Sequence, residues 1–233
     1  MKTLGTVLAL LTVTCAFASQ GVDGGLFARH ATSIWAAGEV TIPSPDGTKA
    51  IVVRPPRDKG SDETHVVSVR VDGREFPTKI GEWVNAEALW APDSTAFFVT
   101  YSDGGNIGTY HVKVFNVTKA GLRVVEPIPN GRRLFAPWCF DAEYPNVAAI
   151  RWTAHDSSRL LIAVQVPPHS SCASSGTFRA YEIAVTNSKV LRHFGQLRAK
   201  QMFSEVLGVA LKDADDSCVR QPETCVPTGL KSR

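Results

Sequence analysis

Much of what would name a chemistry is missing from this chain. There is no Gly-x-Ser-x-Gly, so a nucleophile elbow has nothing to form on. No glycine-rich phosphate loop follows an apolar run, which removes the usual nucleotide cradles. Cys-x-x-Cys pairs and close histidine spacing, the marks of zinc, are absent, and Asp213, Asp215 and Asp216 lack the ligand spacing and closing glutamate of a calcium loop. No cofactor or metal is expected. Charge of one sign is also scarce: Lys and Arg number 25 against 22 Asp and Glu, a net +3, and the densest basic spot is Arg132-Arg133. That is too little to track phosphates, so nucleic acid is not an expected partner. The apolar run Leu4 to Phe17 is shorter than the roughly 20 residues that cross a bilayer, so no stable membrane span is expected.

That run has another reading. Lys2 supplies a charged start and Ala16-Phe17-Ala18 a small-x-small cleavage signal, so residues 1–18 read as a signal peptide and the mature chain should begin near Ser19. A lipid anchor at Cys15 would want an aliphatic residue three before the cysteine and a small Gly, Ala or Ser directly before it. Thr12 and Thr14 stand there, so the expectation is export to a periplasm or outside the cell, without a lipid. Cleavage leaves Cys139, Cys172, Cys218 and Cys225, an even count that argues for two disulfides in an oxidising compartment. Of the three pairings, Cys218 with Cys225 and Cys139 with Cys172 are favoured. Asn116-Val117-Thr118 spells a glycosylation sequon, which matters in a eukaryotic secretory pathway alone.

What is present is a repeat. Ile42-Pro43-Ser44-Pro45-Asp46-Gly47-Thr48-Lys49-Ala50-Ile51-Val52 is echoed by Leu89 to Val99 around Asp93, and by Trp152 to Ile162 around Asp156. Aligned on these aspartates, Ile42, Leu89 and Trp152 stand four before, and apolar residues occupy the fourth to sixth places after. Each copy reads as a strand end, a structural turn on Asp46, Asp93 or Asp156, and a strand whose continuous apolar triplet suits burial on both faces. Turn chemistry divides the chain into units at about 39–80, 88–128 and 148–195, each with four short β segments. Leu26-Phe27 and Ile34-Trp35 are candidates for one further edge strand. The expected fold is all-β: three four-stranded antiparallel blade-like units within residues 19–197. Ala199, Met202, Phe203, Val206, Leu207, Ala210 and Leu211 recur at helical spacing, so one amphipathic helix is expected over Arg198 to Lys212, followed by a disulfide-clasped tail to residue 233.

Ser44-Pro45-Asp46-Gly47-Thr48-Lys49 and Ala91-Pro92-Asp93-Ser94-Thr95 resemble the SPDG-type repeat of TolB-like, WD40-like β-propellers. The resemblance spans about residues 39–195 and weakens in the third unit, where His155 replaces proline. It implies a fold in which the motif is a turn between the first two strands of a blade, and it implies no activity. A closed propeller usually needs at least four blades. Three invite closure by a homodimer, a disguised blade, or an open stack with covered ends.

Candidate chemistry is thin. Asp141 and Glu143 sit near Trp138 and Tyr144, a composition compatible with sugar binding or acid/base work, but solvated acids are the default. Ser170, Ser171, Ser174 and Ser175 beside His169 read as a flexible connection. The connections Pro55 to Glu63, Ser102 to Thr109 and Pro167 to Gly176 are polar and should leave one end of the scaffold together, where binding usually resides. The leading expectation is therefore an exported, non-enzymatic binding or scaffold module whose partner is a protein or envelope component. The alternatives are an envelope-associated hydrolase using Asp141, Glu143 and His169, and a subunit that docks a partner through Met202, Phe203, Val206 and Leu207.

Overall fold

The computed structural model describes residues 24–34, 39–55, 66–80, 83, 85–102, 104, 109–128, 134, 144–172 and 174–222. The predicted signal peptide lies outside them, as do Asp141, Glu143, Cys139 and Cys225. Thirteen strands are described: β1 (Thr32–Ile34), β2 (Val40–Pro43), β3 (Lys49–Arg54), β4 (Val66–Val71), β5 (Arg74–Pro77), β6 (Asn85–Trp90), β7 (Ala96–Ser102), β8 (Tyr110–Thr118), β9 (Gly121–Val125), β10 (Asn146–Trp152), β11 (Arg159–Gln165), β12 (Phe178–Ala184) and β13 (Lys189–Gly195). Three short helices follow: α1 (Gln196–Phe203), α2 (Val209–Lys212) and α3 (Ser217–Arg220). The strands form three antiparallel sheets in the orders β2-β3-β4-β5, β1-β6-β7-β8-β9 and β10-β11-β12-β13.

The apolar triplets explain how the sheets meet. In β7 every residue is buried. Phe97, Val99 and Tyr101 join a core with Ile51, Val53, Val67 and Val69 of the first sheet. Ala96 and Phe98, on the opposite face, join Ala149, Leu160, Ile162 and Val164 of the third. Leu161 and Ala163 of β11 then face Phe27, Ala199, Leu207 and Leu211. The order is first sheet, second sheet, third sheet, helical layer. No apolar cluster joins the first sheet to the third, so the described residues form an open stack and not a closed ring. Each fully buried Phe, Leu or Ile contributes roughly 1.5–3 kcal/mol, more than the roughly 1 kcal/mol of a typical hydrogen bond. Packing holds the sheets together, and hydrogen bonds set their alignment.

The two ends of the stack are finished differently. The helical layer covers the third sheet. The outer face of the first sheet carries ions: Glu75 accepts two hydrogen bonds from Arg54 (2.5 and 2.7 Å) and one from Arg70 Nη2 (3.0 Å), and Arg54 lies 3.6 Å from Glu39. The Arg54 guanidinium first of all, then Arg70, holds the Glu75 carboxyl down at about 2. A polar outer face of this kind closes a repeat stack against further addition.

Three features depart from the sequence reading. The second sheet has five strands, because β1 joins the inner edge of β6 with Ser33 opposite Glu87. The single helix is broken: α1 ends at Phe203, Leu207 makes a β-bridge with Ala28, and the chain resumes as α2. Three N-terminal backbone bonds enforce that break, Arg29 N–H to the Val206 carbonyl (3.0 Å), Gly208 N–H to Phe27 (2.8 Å) and Ala210 N–H to Leu26 (3.0 Å). The third turn is one residue longer than the others. Pro43 pairs with Ala50 and Trp90 with Phe97, whereas Trp152 pairs with Leu160. The equivalent positions are therefore Pro43, Trp90 and Trp152, and the aspartate alignment is out by one on the near side of the third turn. The apolar face itself packs as such a face usually does, on its own sheet: Met202 is exposed, but Leu207 is buried and Phe203 lies edge-on to Phe194 (5.1 Å), so most of that face is turned onto the third sheet.

Candidate functional site

The three aspartates build one end of the molecule. Each accepts, on Oδ1, the backbone N–H and the hydroxyl of the residue two further on: Thr48 for Asp46 (both 2.9 Å), Thr95 for Asp93 (3.0 and 2.8 Å), Ser158 for Asp156 (2.9 and 2.5 Å). This is the Asx turn that such side chains favour. The Ser44 hydroxyl, then the Thr48 N–H and Lys49, hold the Asp46 carboxyl far below the ordinary carboxylate range. The Ser158 hydroxyl and N–H lower Asp156 likewise.

The turns also bond to one another. The Asp46 N–H donates to Ser94 Oγ (3.0 Å), the Ser157 N–H donates to Asp93 Oδ2 (3.0 Å), and the Thr95 and Ser157 hydroxyls are 2.9 Å apart. Beside them the Trp90 indole donates to the Ile42 carbonyl (3.0 Å) and the Trp152 indole to that of Leu89 (3.4 Å), the same step from sheet to sheet. With all three turns in contact, β3, β7 and β11 start at this end and finish at the other. The connections that follow them therefore leave together.

That far end holds a buried polar layer between the second and third sheets. Asn146 Oδ1 accepts the Tyr110 N–H (3.0 Å) while its Nδ2 donates to Gln165 Oε1 (3.3 Å). Gln165 Nε2 reaches the carbonyls of Gly176 (3.3 Å) and Ala210 (3.2 Å), and Thr100 Oγ1 accepts the Ala149 N–H (3.1 Å). Buried polar groups must be paired or cost stability. Here the pairing fastens the two sheets and the helical layer at the loop end.

Above this layer lies a cleft of about 130 Å³ bounded by Tyr101, His111, Lys113, Glu126 and Tyr144. The strand registers place it. Tyr101 is opposite His111, with rings 5.7 Å apart, and Lys113 stands two residues on along the same face of β8, its Nζ 5.6 Å from the Tyr101 ring centre. Lys113 also lies 3.7 Å from Glu126. β9 pairs with Val114–Thr118, so the stretch 110–113 of β8 has no outer strand among the described residues, and the cleft opens along it. The opposite wall, Tyr144 and Pro145, leads into β10 and is pinned by Asn146.

Other singled-out residues serve the scaffold. His169 is exposed on the third connection, with no polar partner among the described residues. Ser170 Oγ accepts the Cys172 N–H (3.1 Å), and Ser175 Oγ donates to the carbonyls of Pro167 (3.1 Å) and Pro168 (2.7 Å), so these hydroxyls shape the loop. Asp215 accepts from Ser217 at the start of α3, and Asp216 pairs with Lys200 (2.9 Å). Cys172, on the third connection, and Cys218, in α3, are both described. The expected pairings run to Cys139 and Cys225, outside the described residues.

Sequence reasoning passed over Tyr101, His111, Lys113, Asn146 and Gln165, and above all Glu87. Only 3% exposed, Glu87 accepts the N–H groups of Phe27 (3.1 Å) and Ala28 (3.2 Å). Its alternating strand context looks solvated, and nothing in the sequence places residues 27 and 28 above it. No protein-family model matches the chain, and no curated protein matches it in sequence.

Proposed function

We propose that this chain is an exported, non-enzymatic binding module built on a TolB-like β-repeat scaffold, acting in a periplasm or envelope after removal of residues 1–18 and closed by disulfides Cys139–Cys172 and Cys218–Cys225. The observation that carries the reading is the shared polarity of β3, β7 and β11, which gathers three connections and the Tyr101–Tyr144 cleft at one end of a rigid stack. At about 130 Å³ the cleft is well below the roughly 300–1,000 Å³ that encloses a small molecule. It suits one protruding group of something larger, such as a sugar ring or side chain lying between tyrosines and hydrogen-bonded by Lys113 or Glu126. The envelope component is therefore a polymer or a protein.

The test is binding of the purified protein to immobilised glycan-polymer and envelope-protein fractions, comparing Lys113→Ala and Tyr144→Ala with Thr48→Ala at the turn end. The reading expects the first two to weaken binding at least about tenfold, the value of one good contact, and the third to leave it unchanged. Equal binding by all three variants would remove the cleft from consideration. Turnover of a glycan or ester that is lost in His169→Ala would replace the binding reading with a hydrolase.

A further inference from the structure

We propose that the cleft receives one residue of an extended polypeptide, which pairs with the backbone of Val112 as an added antiparallel strand. This rests on the cleft as the binding site and narrows its partner to a protein. In β8 the Val117 N–H bonds to the Thr95 carbonyl (2.8 Å) on the β7 side, so the backbone groups of His111, Lys113, Phe115 and Val117 point toward β7. Those of the even-numbered residues point the other way. There Val114 and Asn116 meet Val125 and Arg123 of β9, and the Tyr110 N–H meets Asn146 Oδ1 (3.0 Å). Val112 lies between them. Among the described residues, its outward N–H and carbonyl have no partner.

A proline leaves the gap. The next hydrogen-bonded step of the β8–β9 register after Val114 and Val125 would set Pro127 opposite Val112. Pro127 has no N–H to give to the Val112 carbonyl, and β9 ends at Val125. The chain stays close for one residue more, since Lys113 Nζ lies 3.7 Å from Glu126. A single ladder pair is therefore missing, with the pairs on either side of it made. Val112 is 5% exposed, and buried backbone groups are nearly always paired. The space beside these two is the cleft, which Val112 lines.

That geometry selects the occupant. Strand addition to a sheet edge draws its affinity from main-chain bonds. In an antiparallel pair one residue exchanges both bonds with the residue opposite, whereas a parallel strand spreads them over two neighbours. The small volume, about 130 Å³, favours the arrangement that uses one residue. A glycan hydroxyl can meet either group of Val112, but a peptide residue meets both at ladder spacing. The residue opposite Val112 shares its face of the sheet. Val147 and Ile128 pack with Val112 there, so an apolar side chain suits that place. The next peptide residue, opposite His111, turns to the other face, toward Tyr101 and Lys113, where a carboxylate is matched in charge. The preceding one must leave the sheet, because Glu126 already stands beside Lys113.

Magnetic resonance and hydrogen exchange at the Val112 amide of the purified protein test this, with peptides selected from a displayed library of random nonapeptides and resynthesised. At saturation that amide should shift and gain at least about tenfold protection. N-methylation at one position of the peptide removes the donor to the Val112 carbonyl and should weaken binding at least about tenfold. Pro127→Ala restores a donor on this chain. Its Val112 amide should be protected without peptide, and the peptide should bind at least about tenfold more weakly. Selected peptides that never shift the Val112 amide, or that tolerate N-methylation at every position, would overturn the added strand. So would a folded Pro127→Ala variant that binds peptide as before. Chitotetraose shifting the Val112 amide where no peptide does would overturn the strand and leave the cleft reading standing, whereas failure of both probes there would remove both. Should Pro127→Ala not fold, the N-methylated peptides decide.

Discussion

Ser94 carries a backbone φ of +59°, a left-handed angle that Gly47 adopts at the matching place in the first turn with +70°. For a residue with a side chain that angle costs roughly 1–2 kcal/mol. Its hydroxyl explains why serine is nonetheless placed there: buried at 1% exposure, it accepts the Asp46 N–H across the gap between sheets. Ser94→Ala keeps the strain and loses the acceptor, so it should lower stability by about 1 kcal/mol. Ser94→Gly loses both and should shift the urea midpoint less. Gly208→Ala belongs to a different class, because its new Cβ meets backbone, and it should cost more than about 2 kcal/mol and loosen residues 24–31 first.

Titration at single residues gives stability a maximum in weak acid. Asp46, Glu75 and Asp156 have lowered values, so what they contribute is present above the ordinary carboxylate range and is lost as the pH falls below that range through their lowered values. Glu87 acts in the opposite sense. Raised from an ordinary 4.5 to about 8, it keeps a proton that the unfolded chain gives up, so stability declines across that window as the pH rises. The slope should approach about 1.4 kcal/mol per pH unit at its steepest. Urea midpoints across this range check it: Glu87→Gln should remove the alkaline decline and spare the acid limb.

Elements repay comparison in threes. Trp90 and Trp152 send their indole N–H to the sheet before, and the matching residue of the first sheet, with no sheet before it, is Pro43. Trp90→Phe keeps the ring in its core and gives up one bond, so it should cost about 1 kcal/mol. Trp152→Phe should cost less, since its bond is longer at 3.4 Å. Urea unfolding with an unchanged slope would confirm both. The strands of the three units were legible in sequence because turn residues bound them and the triplets Ala50-Ile51-Val52, Phe97-Phe98-Val99 and Leu160-Leu161-Ile162 need cover on both faces. The helix break was not. Helical spacing runs on through Val206 and Leu207, and the bridge from Leu207 to Ala28 is a contact between segments that spacing cannot see. The polar layer was hidden for the same reason. Asn146 and Gln165 stand at strand ends, where polar residues usually meet water, and only the neighbouring sheet and Ala210 bury them.

At the scale of the whole molecule, the stack is finite. One end face is occupied by the Glu39–Arg54–Glu75–Arg70 chain, the other by the helices and residues 24–31, and β1 takes the inner edge of the second sheet that a closed ring would turn toward its channel. Burying those charges against a second copy would cost more than the attraction between them returns. This charged face is therefore expected to stay in solvent and not to close the repeats against a second copy. Of the candidate site, the sequence disclosed the loop end but not the cleft, because Tyr101, His111 and Lys113 converge through the β7–β8 register. The most direct measurement is the mass of the folded protein in solution by light scattering, under non-reducing conditions. This account expects one chain per particle over a wide range of concentration. A stable dimer that Arg54→Glu dissociates would show that the charged face is an interface, and would contradict the open, capped stack.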